Sequence, residues 1–220
     1  MPDICTGVCS GGYRREGRDV SLRHLLMKIN EVGFANCIRG SIIREKYKKL
    51  QKVYHFDPWH ISPYELRRYL QAVAEYMNGK APAVVVDVGC GLGELLRHTK
   101  AKVKIGYDVC EDTLEAARAL SRGDIEYRRG SFDEMAVDQP VDYLVTLGFM
   151  HGSREEAWRP CYHDIAARND IRHFIVDTVP EGWDNACFLD FSRIMPENYR
   201  LIDKMGPFLS GRMIEVYEKN

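Results

Sequence analysis

The chain has 220 residues, of which 45% are hydrophobic and 29% are charged. This composition is typical of a globular protein with one domain and an extension, and it excludes a disordered chain. Lys and Arg number 31 against 32 Asp and Glu, and the net charge of -1 argues against a general nucleic-acid binder. No run of 18 apolar residues occurs, so neither a transmembrane helix nor a membrane partner is expected. The first residues lack the pattern of a secretory signal, which predicts a cytoplasmic location.

The N-terminal part of the chain divides into a tail and a helical cap. Residues 1–18 are polar and rich in glycine, and we expect them to be poorly ordered. Residues 19–79 are predicted to form the cap. Apolar residues recur at helical spacing over 19–54, which predicts two helical pieces with interruptions at Gly33 and Gly40. The cysteines form no Cys-x-x-Cys pair and no histidines stand at zinc spacing, so no metal site is expected.

Two tetrapeptides match the pattern that starts a helix. The first, Ser-Pro-Tyr-Glu at 62–65, is a capping box with proline at the first helical position. It predicts a helix that ends at Gly79. The second, Ser-Arg-Glu-Glu at 153–156, predicts another helix start in the core.

Residues 80–220 are predicted to form the core, because short apolar runs alternate there with helical patterns. The predicted strands cover residues 83–88, 103–107, 125–127, 141–147, 173–176, 199–204 and 212–218. One helix is expected directly after the first strand and another over 112–120. The pattern predicts an α/β fold with a mostly parallel sheet, which the last two strands extend as an antiparallel hairpin.

A glycine-rich turn comes after the first predicted strand, with the sequence Asp-Val-Gly-Cys-Gly-Leu-Gly-Glu at 87–94. Glycines let the backbone turn tightly and let a ligand approach the main chain closely. Asp108 ends the second strand nineteen residues after Gly89, where a carboxylate can accept the hydroxyl hydrogens of a ribose. Because ligands of open parallel sheets bind at the carboxyl ends of strands, the pattern predicts a nucleoside site there.

Two classes of ligand use this layout. A dinucleotide needs Gly-x-Gly-x-x-Gly and a helix N-terminus that is free to hold a pyrophosphate. Here the spacing is Gly-x-Gly-x-Gly, and Glu94 is expected at the helix start, where its carboxylate would repel a pyrophosphate. S-adenosylmethionine carries no phosphate and meets no such penalty. The residues therefore favour S-adenosylmethionine as the cofactor, with a dinucleotide oxidoreductase as the weakest alternative.

On these residues the chain resembles the class I S-adenosylmethionine-dependent methyltransferases, over roughly residues 80–220. The resemblance implies a Rossmann-like sheet of seven strands. It also implies that Ser131, in Gly130-Ser131-Phe132, stands where the family usually has an acid at the adenine, with Asp133 as a substitute. The residues expected at the donor are Asp87, Gly89, Cys90, Gly91, Gly93, Asp108, Val109, Ser131, Phe132 and Leu147.

The acceptor side is expected to centre on His151, which comes after the fourth strand where the family has its active-site loop. Histidine titrates near neutral pH and suits a general base for an alcohol, with His60 as the substitute candidate. The alternative is a histidine that only packs or caps the next helix. Trp59, Tyr64 and Met150 are expected to contact the acceptor.

The acceptor class is predicted from the residues after strand four and from the cap. Strand four lacks the Asn/Asp-Pro-Pro-aromatic tetrapeptide with which the family's amino-methylating nucleic-acid enzymes hold a base, so no nucleic-acid partner is expected. Residues 56–65 are similar to a segment in uncharacterised methyltransferases associated with bacterial surface polysaccharide synthesis. This similarity favours carbohydrate modification, with the hydroxyl of a saccharide or nucleotide sugar as acceptor.

Several alternatives stay open at this point. One is N-methylation of an amino sugar or small amine, and another is a catalytically silent S-adenosylmethionine-binding protein. Asp177, at the end of the fifth strand, is interpreted as an ordinary strand-end residue rather than a ligand. The oligomeric state is open, with a homodimer as one alternative.

Overall fold

The computed structural model describes residues 22–180 and 186–220, so the tail predicted for residues 1–18 lies outside them. Within the described residues, seven strands form a sheet in the order β3-β2-β1-β4-β5-β7-β6. The strands are β1 (Val84–Val88), β2 (Val103–Asp108), β3 (Glu126–Arg129), β4 (Val141–Thr146), β5 (Ile171–Thr178), β6 (Tyr199–Met205) and β7 (Met213–Lys219). Strands β1 to β5 pair in parallel, and β7 runs antiparallel to β5 and β6. The predicted fold class is confirmed.

The helices lie before the sheet and between its strands. They are α1 (Leu22–Val32), α2 (Phe34–Tyr54), α3 (Arg68–Asn78), α4 (Glu111–Leu120), α5 (Glu155–Arg168) and α6 (Phe191–Ile194). Short 3-10 helices cover Pro58–Ile61, Tyr64–Leu66, Leu96–His98 and Met150–Gly152. As predicted, α3 ends at Gly79, whose N–H donates to the carbonyl of Glu75.

The central strand shows why the sheet is covered on both faces. All five residues of β1 are buried, and successive side chains of a strand point to opposite faces. Val86 packs in a core cluster with Trp158 of α5, whereas Val85 packs in a second cluster with Val73 of α3. Burial on both sides explains why β1 reads as a continuous apolar run rather than an alternating one.

The cap helices meet the core through a small third cluster. Phe56, which is only 1% exposed, packs there with Tyr47 of α2 and with Leu92 and Ala116 of the core. Gly33 separates α1 from α2, as predicted. Gly40 does not interrupt α2, so that prediction is wrong. A Cβ at Gly40 would lie 2.6 Å from Leu66 Cγ, so the glycine serves close packing instead.

Neither predicted capping box forms. The 62–65 segment gives a 3-10 helix before α3, because the Tyr64 N–H donates to the Glu94 carboxylate at 3.0 Å. At the second tetrapeptide the Ser153 N–H donates to the Met150 carbonyl, and Arg154 precedes α5 without a side-chain cap. At the first tetrapeptide a carboxylate thirty residues away engages the segment, whereas at the second the preceding 3-10 turn does.

The helix predicted directly after β1 is also absent. Residues 89–95 form turns that lead into the 3-10 helix Leu96–His98. Glu94 therefore does not stand at an α-helix N-terminus, and it bonds the Tyr64 N–H and pairs with Arg97 at 3.1 Å. The prediction that Glu94 would repel a pyrophosphate at a helix start is therefore wrong, because no α-helix starts there. A dinucleotide would instead lack the α-helix N-terminus that usually holds its pyrophosphate.

The anchoring of the cap by Phe56 is testable by unfolding. Phe56→Ala should lower the free energy of unfolding by about 3–5 kcal/mol, because it leaves a cavity between cap and core. Trp59→Ala is the matched control: its ring is 56% exposed, and its loss should cost about 0.5 kcal/mol or less. Urea denaturation measures both. Equal stability of the two variants would show that the cap does not pack on the core in this way.

Candidate active site

The carboxyl ends of β1 and β2 meet at the glycine turn. The N–H groups of Gly89 and Cys90 both donate to the Tyr107 carbonyl, at 2.8 and 3.0 Å. These bonds continue the pairing of β1 with β2 past the strand end, and they turn the chain back over the sheet. Gly89 and Gly91 adopt φ of 71° and 54°, in the left-handed region that favours glycine. The turn therefore places backbone without side chains at the carboxyl end of the central strand β1.

Asp108 closes the turn from the side of β2. One of its carboxylate oxygens accepts the Gly91 N–H and the other accepts the Cys110 N–H, each at 3.0 Å. Burial raises the pKa of Asp108 and, together with the charge of Asp108, raises the pKa of Asp87 to about 8. Two buried acids side by side favour a ligand that brings positive charge and hydroxyl donors.

Two side chains lie directly on the turn. A Cβ at Gly89 would lie 2.6 Å from Phe149 Cδ1, and one at Gly91 would lie 2.6 Å from His60 Nδ1. The segment between α2 and α3 thus brings His60 onto the glycine turn. Burial, followed by the charge of Arg67, lowers the pKa of His60 to about 3, so its ring is neutral at physiological pH.

The expected adenine side is partly aromatic. Phe132 is buried, and its ring meets Phe149 edge-on at 6.5 Å between centroids. The Ser131 hydroxyl bonds the carboxylates of Asp133 and Glu134 at 2.6 and 2.9 Å, so it is engaged within its own loop. Val109 exposes 53% of its surface beside Asp108 and offers an apolar contact at the rim.

A second polar cluster lies at the carboxyl ends of β4 and β5. His151 Nε2 lies 3.0 Å from one oxygen of the buried Asp177. The other oxygen accepts the Gly148 N–H at 2.9 Å, and Arg212 forms an ion pair with the same carboxylate. The Arg212 guanidinium also lies over the Tyr69 ring, 4.7 Å from its centroid. The loop after β4 is thereby tied to β5.

His151 is held neutral in this cluster. Burial is the main cause that lowers its pKa to about 4, and the charge of Arg212 acts in the same direction. The backbone of Cys187 acts in the opposite direction. A neutral imidazole has one nitrogen that can accept a proton, which is the state a general base needs.

The residues expected at the acceptor lie in different environments. Trp59 is 56% exposed. Tyr64 is half-buried and stacks on His98 with 3.6 Å between ring centroids. Met150 is fully buried, and its sulfur lies 3.1 Å from the Tyr162 hydroxyl. The structure brings His151 and Met150 together on one loop but does not bring Trp59 or Tyr64 into contact with them.

Three residues at the two clusters are not predicted from the sequence. Phe149 lies close to Gly89 and Phe132, which the sequence does single out. Its position directly after Gly148 in the loop after β4 is a signal by which it could have been found. The position of Asp177 indicates only an ordinary strand-end residue. Arg212 comes from the turn between β6 and β7, and no local pattern marks it. Only the folded sheet brings it to the end of β5.

Membrane-spanning helices and metal clusters are both absent from residues 22–180 and 186–220. None of the helices described there has the length and apolar character needed to cross a membrane. Among the same residues, no group of three or more His, Cys, Asp or Glu side chains is arranged to hold a metal ion.

The family model of a methyltransferase domain matches residues 85–168. This stretch runs from β1 through the glycine turn and Asp108 to the end of α5. Residues 85–168 are a methyltransferase domain, and the chain has the fold of the class I S-adenosylmethionine-dependent methyltransferases. The predicted family, cofactor and enzyme class are confirmed. No curated protein sequence matches the chain.

Solved structures show the same fold for this methyltransferase at low sequence identity. Magnesium protoporphyrin IX methyltransferase from Synechocystis PCC 6803 with bound SAH has a TM-score of 0.61 and 13% identity, covering 84% of this chain and 99% of its own. The N-methyltransferase NodS from Bradyrhizobium japonicum WM9 has a TM-score of 0.59 and 11% identity, covering 70% and 95%. At such identities the likeness establishes the fold of the methyltransferase and leaves its acceptor open.

The close approach of His60 to Gly91 gives a test of donor binding. Gly91→Ala should weaken S-adenosylhomocysteine binding by about tenfold or more, because the new Cβ strains the backbone and displaces His60. Gly123→Ala is the matched control, since Gly123 also has a positive φ but has nothing within 4 Å of an added Cβ. Isothermal titration calorimetry measures both. Unchanged binding to Gly91→Ala would place the donor elsewhere.

The two neutral histidines, His60 and His151, predict an acid-sensitive fold. Their pKa values are lowered in the folded state, so between pH 6.5 and about 4 the unfolded chain binds more protons. The stability that they contribute is present above pH 6.5 and is lost as the pH falls, towards about 4 for His151 and towards about 3 for His60. The double variant His60→Gln/His151→Gln should therefore lose less stability over this range, measured by urea unfolding at each pH. An unchanged slope would contradict the assignment.

Proposed function

We propose that this methyltransferase transfers a methyl group to a hydroxyl of a small polar molecule, a saccharide or nucleotide sugar. The observation that supports this best is His151. It is a buried neutral imidazole that is held by Asp177 on the loop after β4, close to Phe149, the loop side chain that lies on the glycine turn. A base at that place is needed for an alcohol acceptor.

The donor side fits the nucleoside that the family uses. S-adenosylmethionine supplies an activated methyl group on a sulfonium. Gly89 and Gly91 carry no side chain, and Phe149 and His60 lie close over them, so a ligand at this turn would border both rings. The Asp108 carboxylate, which bonds the Gly91 N–H, is the proposed acceptor of the ribose hydroxyls. The raised pKa of Asp87, about 8, fits a site that receives a cationic ligand. Val109 and Phe132 are the proposed apolar contacts of the adenine.

The acceptor is proposed to approach from a cleft beside His151. A cleft of about 360 Å³ is lined by Arg154, Glu155, Glu156, Ala186, Cys187 and Phe188. The Cys187 N–H donates to the His151 carbonyl at 2.8 Å, so the cleft adjoins the loop of the base. Its charged lining offers hydrogen-bond partners to a polyhydroxylated molecule. Trp59 is kept in the proposal as an exposed ring on which a sugar can stack, and Tyr64 and Met150 as secondary contacts.

A small amine is the second candidate acceptor. Glu155 and Glu156 line the cleft and would attract an ammonium group. A neutral amine is already nucleophilic, so N-methylation depends less on a base than O-methylation does. The effect of removing His151 therefore separates the two candidates.

The experiment is incubation of the full chain with isotope-labelled S-adenosylmethionine and a panel of sugars, nucleotide sugars and small amines, read by mass spectrometry. We expect one methyl on a hydroxyl-bearing member. His151→Ala should lower kcat by about 10²–10⁴-fold, since a general base contributes about that much, while S-adenosylhomocysteine affinity stays unchanged. His55→Ala, an exposed position in the cap, is the control and should retain activity.

Two results would contradict the proposal. Methylation of amines alone, with kcat unaffected by His151→Ala, would favour the second candidate. Binding of S-adenosylhomocysteine without transfer to any panel member would favour a silent binding protein.

A further inference from the structure

We propose that the outer surface of α1 and α2 docks on a lipid bilayer with anionic headgroups. This outer surface consists of exposed apolar residues and of the basic side chains that lie among them. The apolar members are Leu25, Leu26, Met27, Phe34, Ile38, Ile42 and Val53. The proposal does not depend on the acceptor of the methyl group, and it assigns a partner to helices that no step of the proposed reaction uses.

Apolar side chains form a row on α2. Phe34, Ile38 and Ile42 are 65%, 49% and 68% exposed. Residues four apart on a helix are neighbours, so these three follow one another along one side. Leu26 of α1, on the other side of the break at Gly33, is also exposed. Large apolar side chains gathered at the surface mark a contact with a partner or a membrane.

The same two helices carry an excess of positive charge. They contain eight Lys and Arg and only two Glu, in a chain whose net charge is -1. Each glutamate already pairs with a lysine of its own helix, Glu31 with Lys28 and Glu45 with Lys48. The basic residues that stay in excess are Arg23, Arg39, Arg44, Lys46, Lys49 and Lys52. The outer surface is therefore complementary to a negatively charged partner.

Apolar and basic residues are separated along α2. The apolar row occupies the first half of its exposed side, and the exposed Lys46, Lys49 and Lys52 continue the same side at spacings of three or four residues. Such a helix inserts its apolar side chains at the level of the acyl chains while its lysines stay among the headgroups. The sequence predicts no membrane partner because no apolar run can span a bilayer, but binding to the surface requires no such run.

The inner side of α2 is fixed to this chain, which distinguishes a bilayer from other partners. Gly40 and Tyr47 are buried on that side, and Tyr47 packs with Phe56. A protein that encloses a helix in a groove cannot surround α2, whereas a bilayer contacts one side only. A symmetric dimer through the outer surface would bring two equal positive charges together. A nucleic acid would match the charge but would not cover the apolar row.

The test is co-sedimentation of the full chain with two kinds of vesicle. One contains equal parts of phosphatidylcholine and phosphatidylserine, and the other contains phosphatidylcholine alone. We expect binding to the anionic vesicles, at least about tenfold weaker binding to the neutral ones, and weaker binding as salt is added. Lys46→Gln/Lys49→Gln/Lys52→Gln should weaken binding to the anionic vesicles by about a hundredfold.

A second variant tests the apolar row. Phe34→Gln/Ile38→Gln/Ile42→Gln should weaken binding to the anionic vesicles by about a hundredfold, because glutamine gains nothing from the acyl layer. Leu201→Gln/Ile202→Gln, two exposed apolar positions on β6, is the matched control and should bind as wild type does. Circular dichroism and S-adenosylhomocysteine affinity should be unchanged in all variants, since every replaced side chain is exposed and lies outside the proposed donor site.

Three results would overturn the inference. One is the absence of binding to the anionic vesicles, or equal binding to both kinds. Another is vesicle binding that neither triple variant weakens. The third is a wild-type dimer in analytical ultracentrifugation that the apolar variant loses, without vesicle binding, since a second copy would then cover the surface. All three leave the proposed methyl transfer standing, because the acceptor panel measures it without vesicles.

Discussion

The Asp108 carboxylate is the contact on which the proposed donor site depends. It joins the Gly91 N–H of the turn after β1 to the Cys110 N–H of the loop after β2. The Gly89 and Cys90 N–H groups tie the turn to the end of β2 through the Tyr107 carbonyl, and Asp108 extends that link to the loop that follows β2. The bond is local and buried, yet it sets where the bare backbone of the turn lies. The same carboxylate is the proposed partner of the ribose, so in this proposal one group both holds the turn and recognises the ligand.

The parts of the fold that the sequence predicts well depend on local patterns. The apolar run of β1 results from burial on both faces of a parallel sheet, and the glycines of the turn result from backbone conformations that other residues rarely adopt. Asp108 is recognisable because a strand ends there at a fixed distance from the turn. These signals lie within short windows of sequence, which is why the fold class and the cofactor could be predicted and the family resemblance recognised.

The parts that could not be predicted depend on contacts between distant segments. Glu94 bonds the Tyr64 backbone, thirty residues away, and the chain after β1 forms turns where the pattern predicts a helix. Asp177 and Arg212 meet because β7 inserts beside β5 in the sheet. The sequence around each of these two residues contains no pattern that predicts their contact. The position of His151 after β4 singles it out, but nothing local identifies the carboxylate that holds it.

The most direct test of the donor site is a crystal structure of the chain with S-adenosylhomocysteine. We expect the ligand at the glycine turn, with both ribose hydroxyls at about 2.7 Å from the Asp108 carboxylate, the usual length of such a bond. We also expect the side chains of His60 and Phe149 to border the ligand. A ligand bound elsewhere, or one whose ribose makes no contact with Asp108, would contradict the central role of that carboxylate.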